Sequence, residues 1–201
     1  MPFVARRSDH TREELQELIL AEGQRLLAEV GYSGFSAREV AKRIGYSIGT
    51  IHNVFGGHDA LLTALNSQTF VLWARALGEK LAVAGPDRIA ALVEGYFDFA
   101  EDNPNLWMAI YDHRLPAGME IPEQYRVLRA GLTDIVEREV ATALPGKPLP
   151  EIEALTRSLV ATVHGHCAFA LTGTFRLLGV DDPRGAALAR VTEILASNER
   201  A

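Results

Sequence analysis

Cysteine is almost missing from this chain: Cys167 stands alone among 201 residues. One thiol cannot close an internal disulfide, so a reducing, cytoplasmic setting is expected. Long apolar runs are missing too. No stretch approaches the roughly 18 apolar residues of a membrane-spanning helix, and the opening MPFVARRSDH lacks the apolar core of a signal peptide. No membrane partner is expected. A surplus of positive charge is also lacking, with 20 Lys and Arg against 26 Asp and Glu and a net charge of -6. That balance excludes a broad, non-specific grip on nucleic acid. There is no alternating strand pattern, internal repeat, glycine-rich phosphate loop, nucleophile elbow or paired-carboxylate arrangement. An enzyme is not expected, nor is a cofactor.

What is present is core material, with 48% of the chain hydrophobic and arranged with helical spacing. The most informative stretch runs from Ser36 to Phe55, SAREVAKRIGYSIGTIHNVF. Ser36 and Glu39 have the spacing of a capping box. Val40, Ala41 and Ile44 share one face of the helix that follows, and Gly45 suits its end. Ser47 can cap a second helix, in which Ile48, Ile51 and Phe55 recur as an inward stripe. The opposite face carries Gly49, Thr50, His52 and Asn53. Two short helices, a glycine-containing turn and a polar outer face make the helix-turn-helix pattern, which points to DNA.

Acidity lies mainly downstream of this element. Residues 1–60 hold seven Lys and Arg against eight Asp and Glu, while the rest holds thirteen against eighteen. Arg6, Arg7, Arg38, Lys42 and Arg43 are expected to share a small basic face. Upstream, Thr11 and Glu14 form another capping-box pair and open a helix to about Val30. Its stripe is Leu15, Leu18, Ile19, Leu26, Leu27 and Val30, and Gly31 is expected to end it. Phe35 is expected to pack beside the next cap.

The string EVGYSGFSAREVAKRIGYSIGTIHNVFGGHDALL resembles the signature of the TetR family of bacterial transcriptional regulators. The likeness rests on Gly31, Ser36, Val40, Ala41, Gly45, Ser47, Gly49, Thr50, Phe55, Leu61 and Leu62 and covers roughly residues 11–65. His52, Val54 and the His58-Asp59 pair depart from it, standing where that family usually has Tyr, another aromatic and Lys-Glu. The resemblance implies phosphate contacts for the Tyr and Lys positions, here His52 and His58. Ser36, at a helix N-terminus, suits a phosphate as well, with Arg38 and Lys42 beside it. Thr50, His52 and Asn53 are candidates for base edges, and Ser47 and Gly49 allow close approach. Arg6 and Arg7 could reach a minor groove.

The fold expected is all-α, with about nine helices in two parts. Residues 1–57 form a three-helix DNA-binding bundle with an N-terminal arm. Residues 58–201 form a ligand-binding and dimerisation domain. Its helices are expected over Asp59–Val83, Pro86–Glu101, the stretch NLWMAIYDHRL, Pro122–Leu144, Glu151 to about Leu178 with a bend near Gly173, and Asp182 to near Ser197. Aromatics are scarce overall at 7%, yet Tyr96, Phe97, Phe99, Trp107 and Tyr111 cluster together. The resemblance implies a small organic effector in this part. The candidate liners are Phe97, Trp107, Tyr111, His113, His164 and Phe169. His164 and Cys167 share a helix face but make half a metal site at best, so a core histidine, an inert thiol and no metal are expected.

Small residues (Gly165, Ala168 and Ala170, then Ala186, Ala187 and Ala189) and the stripe Leu188, Val191 and Leu195 are expected to pair two copies through the last two long helices. The combined expectation is a repressor that binds a palindromic operator as a homodimer and is released by its effector. The rival is a helical ligand-binding or interaction protein that has lost DNA binding.

Overall fold

The computed structural model describes residues 10–199. Among these there are ten helices and no strand. The N-terminal bundle consists of α1 (Arg12–Gly34), α2 (Ala37–Arg43) and α3 (Ile48–Phe55). The rest comprises α4 (His58–Ala82), α5 (Arg88–Asp102), α6 (Pro104–Asp112), α7 (Glu123–Ala143), α8 (Leu149–Leu171), α9 (Thr174–Leu177) and α10 (Pro183–Glu199).

The extra helix comes from Gly173. A φ of 73° there ends α8, so the expected bend is a break, followed by the single turn of α9. The Thr11–Glu14 capping box forms with both reciprocal bonds. The one expected at Ser36 does not form. Ser36 makes no side-chain cap bond, and Glu39 lies instead 3.6 Å from Lys42 and 3.4 Å from Arg43. Two cations a turn away outcompete a single backbone amide for this carboxylate. Helix α1 also continues one turn past its expected end, kinked at Gly31. There Asn105 of α6 donates to the Ala28 carbonyl at 2.7 Å. Val30, expected in the core, is 41% exposed because the kink turns it outward.

Gly45 closes α2 in a Schellman motif. Its φ is 78°, its N–H donates to Lys42 O, and Tyr46 N–H donates to Ala41 O at 2.8 Å. A residue with a Cβ would be strained at this turn. The geometry sets the direction of α3, whose Ser47 hydroxyl accepts from Thr50 N–H at 3.3 Å.

Two main cores result. The first joins Leu15, Ile19, Leu27, Val40, Ala41 and Ile51 to Leu61, Leu62 and Leu65 of α4 and to Leu106 and Ala109 of α6. The second gathers Trp73, Phe97, Phe99, Trp107, Ile152, Val163, Cys167 and Val191. Helix α4 belongs to both, because its 25 residues extend about 37 Å at 1.5 Å per residue. Its buried hydroxyls bond back to carbonyls four residues earlier: Thr63 to Asp59, Ser67 to Thr63 and Thr69 to Leu65. Those bonds satisfy the hydroxyls that α4 buries where it packs against its neighbours, α1, α6 and α7 among them.

Candidate nucleic-acid interface and apolar cavity

Helix α3 is held by one face and presents the other. Ile51 is buried, and Ile48, Val54 and Phe55 are half-buried against the first core. Gly49, His52 and Asn53 stand exposed with Ser47, as the 3.6-residue period requires. Thr50 is half-buried, with its hydroxyl 3.1 Å from that of Ser47, so it is tied to the helix start. Arg38, Lys42 and His58 are exposed and Ser36 is half-buried. The His58 ring lies 5.8 Å from that of Phe35, the buried residue of the connector.

Arg43 does not share that basic face. Its guanidinium turns back to α1, 2.8 Å from Glu29 and 3.3 Å from Glu22, with Glu39 completing the set. Three carboxylates hold it against the bundle, which removes it from the expected phosphate contacts. Arg6 and Arg7 lie outside the described residues. At the edge of those residues, His10 Nδ1 is 2.8 Å from the Tyr46 hydroxyl, tying the residue just before the Thr11 cap to the turn.

The second feature is an apolar cavity of about 120 Å³. Its walls are Phe70, Trp73 and Leu77 of α4, Leu92, Val93 and Tyr96 of α5, Leu132, Val136 and Val140 of α7, and Leu159, Val160 and Val163 of α8. Ile89 of α5, Thr133 of α7, Tyr111 of α6 and Val191 of α10 complete it. Of the six residues expected around a ligand, only Tyr111 reaches this wall. Trp107 and His164 stand behind it. Tyr96 OH is 3.0 Å from His164 Nδ1 and 3.2 Å from Tyr111 OH, and the His164 ring lies 4.1 Å from that of Tyr111. Burial lowers the pKa of His164 and raises those of Tyr96 and Tyr111, so the cluster is neutral at pH 7.

The remaining three residues sit elsewhere. Phe97 is sealed in the second core, 1% exposed, under the Arg184 guanidinium. Phe169 is 47% exposed and meets Phe175 edge to face, pointing away from the cavity. His113 lies where α6 meets α4, with Nε2 3.4 Å from Asp59 and Nδ1 3.5 Å from Asn66, whose amide also donates to Ala109 O. These displacements share a cause: residues from six helices meet at the cavity, and linear proximity does not say which side of a helix faces inward. Sequence reasoning missed the α4 and α7 walls. The pair Phe70 and Trp73, three residues apart on α4, was the available signal.

Cys167 is fully buried, and burial pushes its thiol up to about 12, so no thiolate exists near neutrality. His166 Nδ1 is 2.8 Å from the Thr162 carbonyl. Val191 and Leu195 are buried within the subunit and Leu188 is half-buried, so the stripe expected to pair two copies packs inside one. The apolar surface left at this end is Phe169, Leu177 and Leu178, and Gly165 is exposed.

Residues 19–65 match the family model described as "Bacterial regulatory proteins, tetR family", and residues 89–195 match "Tetracyclin repressor-like, C-terminal domain". The chain belongs to the TetR family. It is 29% identical over 171 residues to the HTH-type transcriptional regulator BetI 1 of Chromohalobacter salexigens, spanning 80% of this chain and 79% of that one. A protein of unknown function from Rhodococcus sp. RHA1 has the same fold, with a TM-score of 0.71 at 23% identity over 96% of this chain and 98% of the other. So does the transcriptional regulator FadR from Bacillus subtilis in complex with stearoyl-CoA, with a TM-score of 0.63 at 15% identity over 90% and 98%. This TetR-family protein is therefore a transcriptional regulator with a helix-turn-helix and a C-terminal ligand-binding part, and it is not an enzyme. No helix among the described residues is long and apolar enough to cross a membrane.

Proposed function

We propose that this regulator is a cytoplasmic repressor that holds a palindromic operator as a homodimer and lets go when a small organic molecule enters the cavity. Its division of labour falls near residue 57, with the bundle before it contacting DNA and the helices after it sensing and pairing. The observation that carries the reading is the continuity of α4. One unbroken helix gives Leu61, Leu62 and Leu65 to the bundle beneath α3, and Phe70, Trp73 and Leu77 to the cavity wall. A change in the wall therefore reaches the bundle through a rigid rod. Helix α6 lies alongside it, with Tyr111 on the cavity and His113 and Asn105 on the bundle side. An effector shifts the equilibrium only by its preference for one arrangement of these helices.

On DNA, Thr50, His52 and Asn53 read base edges, while Ser47 and Gly49 let α3 approach closely. Ser36, Arg38, Lys42 and His58 lie along the phosphates. The net charge makes that grip modest, so a second copy about one DNA turn away, roughly 34–36 Å, supplies the remaining affinity. Phe169, Leu177, Leu178 and Gly165 are the surface for this pairing. Around the cavity, Trp107 and His164 support Tyr111 from behind.

A gel shift of the purified protein on the upstream region of its own gene tests the reading. Retarded DNA that weakens steeply with salt, with a footprint over two inverted half-sites, is the expected result. A protein that is monomeric by light scattering at micromolar concentration, or that leaves every upstream fragment unretarded, would overturn it.

A further inference from the structure

The chain treats its half-buried arginines in two ways. Arg88 is held by Glu139 through two parallel bonds of 2.6 and 2.7 Å, and Arg184 reaches Asp98 at 2.7 Å and Glu101 at 2.6 Å. Arg129, on α7 one turn before the cavity residues Leu132 and Thr133, has no carboxylate within 4.0 Å among the described residues. Its Nε is buried without an acceptor. The guanidinium sits over the Phe70 ring, 4.9 Å from its centroid. Phe70 also stacks with Trp73, with ring centroids 6.4 Å apart, and Trp73 Nε1 is a second buried donor with no acceptor. Phe70, Trp73 and Tyr111 are all cavity wall.

Two orphaned donors, one of them a cation, beside an otherwise apolar cavity define a ligand. We infer that the cavity takes a small monocarboxylate, its apolar body among Leu92, Val136 and Val163 and its carboxylate on Arg129. The inference rests on the reading of the cavity as the effector site and narrows it to acids. A buried Nε–H with no acceptor, on a half-buried cation, is costly, and an incoming carboxylate removes that cost. Arginine suits the task because its planar fork meets a carboxylate with two parallel bonds. The cavity of about 120 Å³ limits the body to about the size of benzene, which a 150 Å³ apolar cavity is known to hold. Benzoate and hexanoate fit that limit.

The test compares each acid with its own amide, which has the same shape and no charge. Calorimetry and quenching of tryptophan fluorescence on the full chain are expected to show benzoate and hexanoate binding about tenfold or more tightly than benzamide and hexanamide. In Arg129→Gln the acids are expected to lose that advantage. The ligand-free variant should melt no lower than the parent, because a merely structural arginine would leave it less stable. Arg129→Met repeats the measurement should the glutamine variant fold poorly. Equal affinity for acid and amide in the parent protein, or a preference that survives in either variant, would overturn the carboxylate and leave the cavity's role standing. No binding by any of the four compounds at millimolar concentration would overturn both.

Discussion

The outer face of α3 and the wall of the cavity are built on opposite plans. On α3, eight consecutive residues supply the whole surface, and one buried side chain, Ile51, fixes which of them point out. The cavity draws one to four residues from each of six helices, so every wall depends on packing between elements far apart in the chain. Changes on the first surface should alter what is bound and spare the fold. Changes on the second should alter the fold and the response together.

The largest expected effect belongs to Trp73, which is both core and wall. Trp73→Ala removes a side chain 1% exposed and should lower unfolding free energy by about 3–5 kcal/mol, measured by urea titration. Asn53→Ala should instead weaken operator binding by roughly 10- to 100-fold in a gel shift, with the melting curve unmoved. If it unfolded the protein, or left DNA affinity unchanged, the contrast between the two surfaces would fail at its clearest point.

Smaller effects sharpen the same contrast at the junction. His113 is held neutral chiefly by burial, which lowers its pKa, while Asp59 opposes the shift. The unfolded chain takes up a proton near 6.5 that the folded protein resists, so stability is present above that pH and lost as pH falls through it. His164, also lowered by burial, adds to the loss. Melting temperature should therefore drop between about pH 7.5 and about pH 5.5, and His113→Gln should reduce that drop. Smallest is the pair Lys42→Gln and Arg43→Gln. Lys42 is exposed, whereas Arg43 is held by Glu22 and Glu29. Only Lys42→Gln should reduce the slope of log affinity against log salt, by about 1.

Local rules were legible where one short segment decides the outcome. Thr11 with Glu14, Gly45 at the end of α2, and Ser47 with Thr50 are arrangements within a few residues, and each forms as the sequence implied. The Ser36–Glu39 box failed because Lys42 and Arg43 compete for the same carboxylate. The aromatic cluster around residues 96–111 lies beside the cavity, but of it only Tyr96 and Tyr111 face the wall. Phe97 turned into the core, while Tyr96, one residue earlier and about 100° around the helix, turned to the cavity.

Sequence by itself determined the helical class, the helix-turn-helix and the outward residues of α3, because caps, turns and a 3.6-residue period are properties of neighbouring residues. Tertiary structure decided the rest. It drew Arg43 away to α1, buried the stripe of α10 against its own subunit, and left Arg129 without an acceptor beside an apolar cavity. Those outcomes depend on which helix lies opposite, and a partner's distance along the chain does not reveal that.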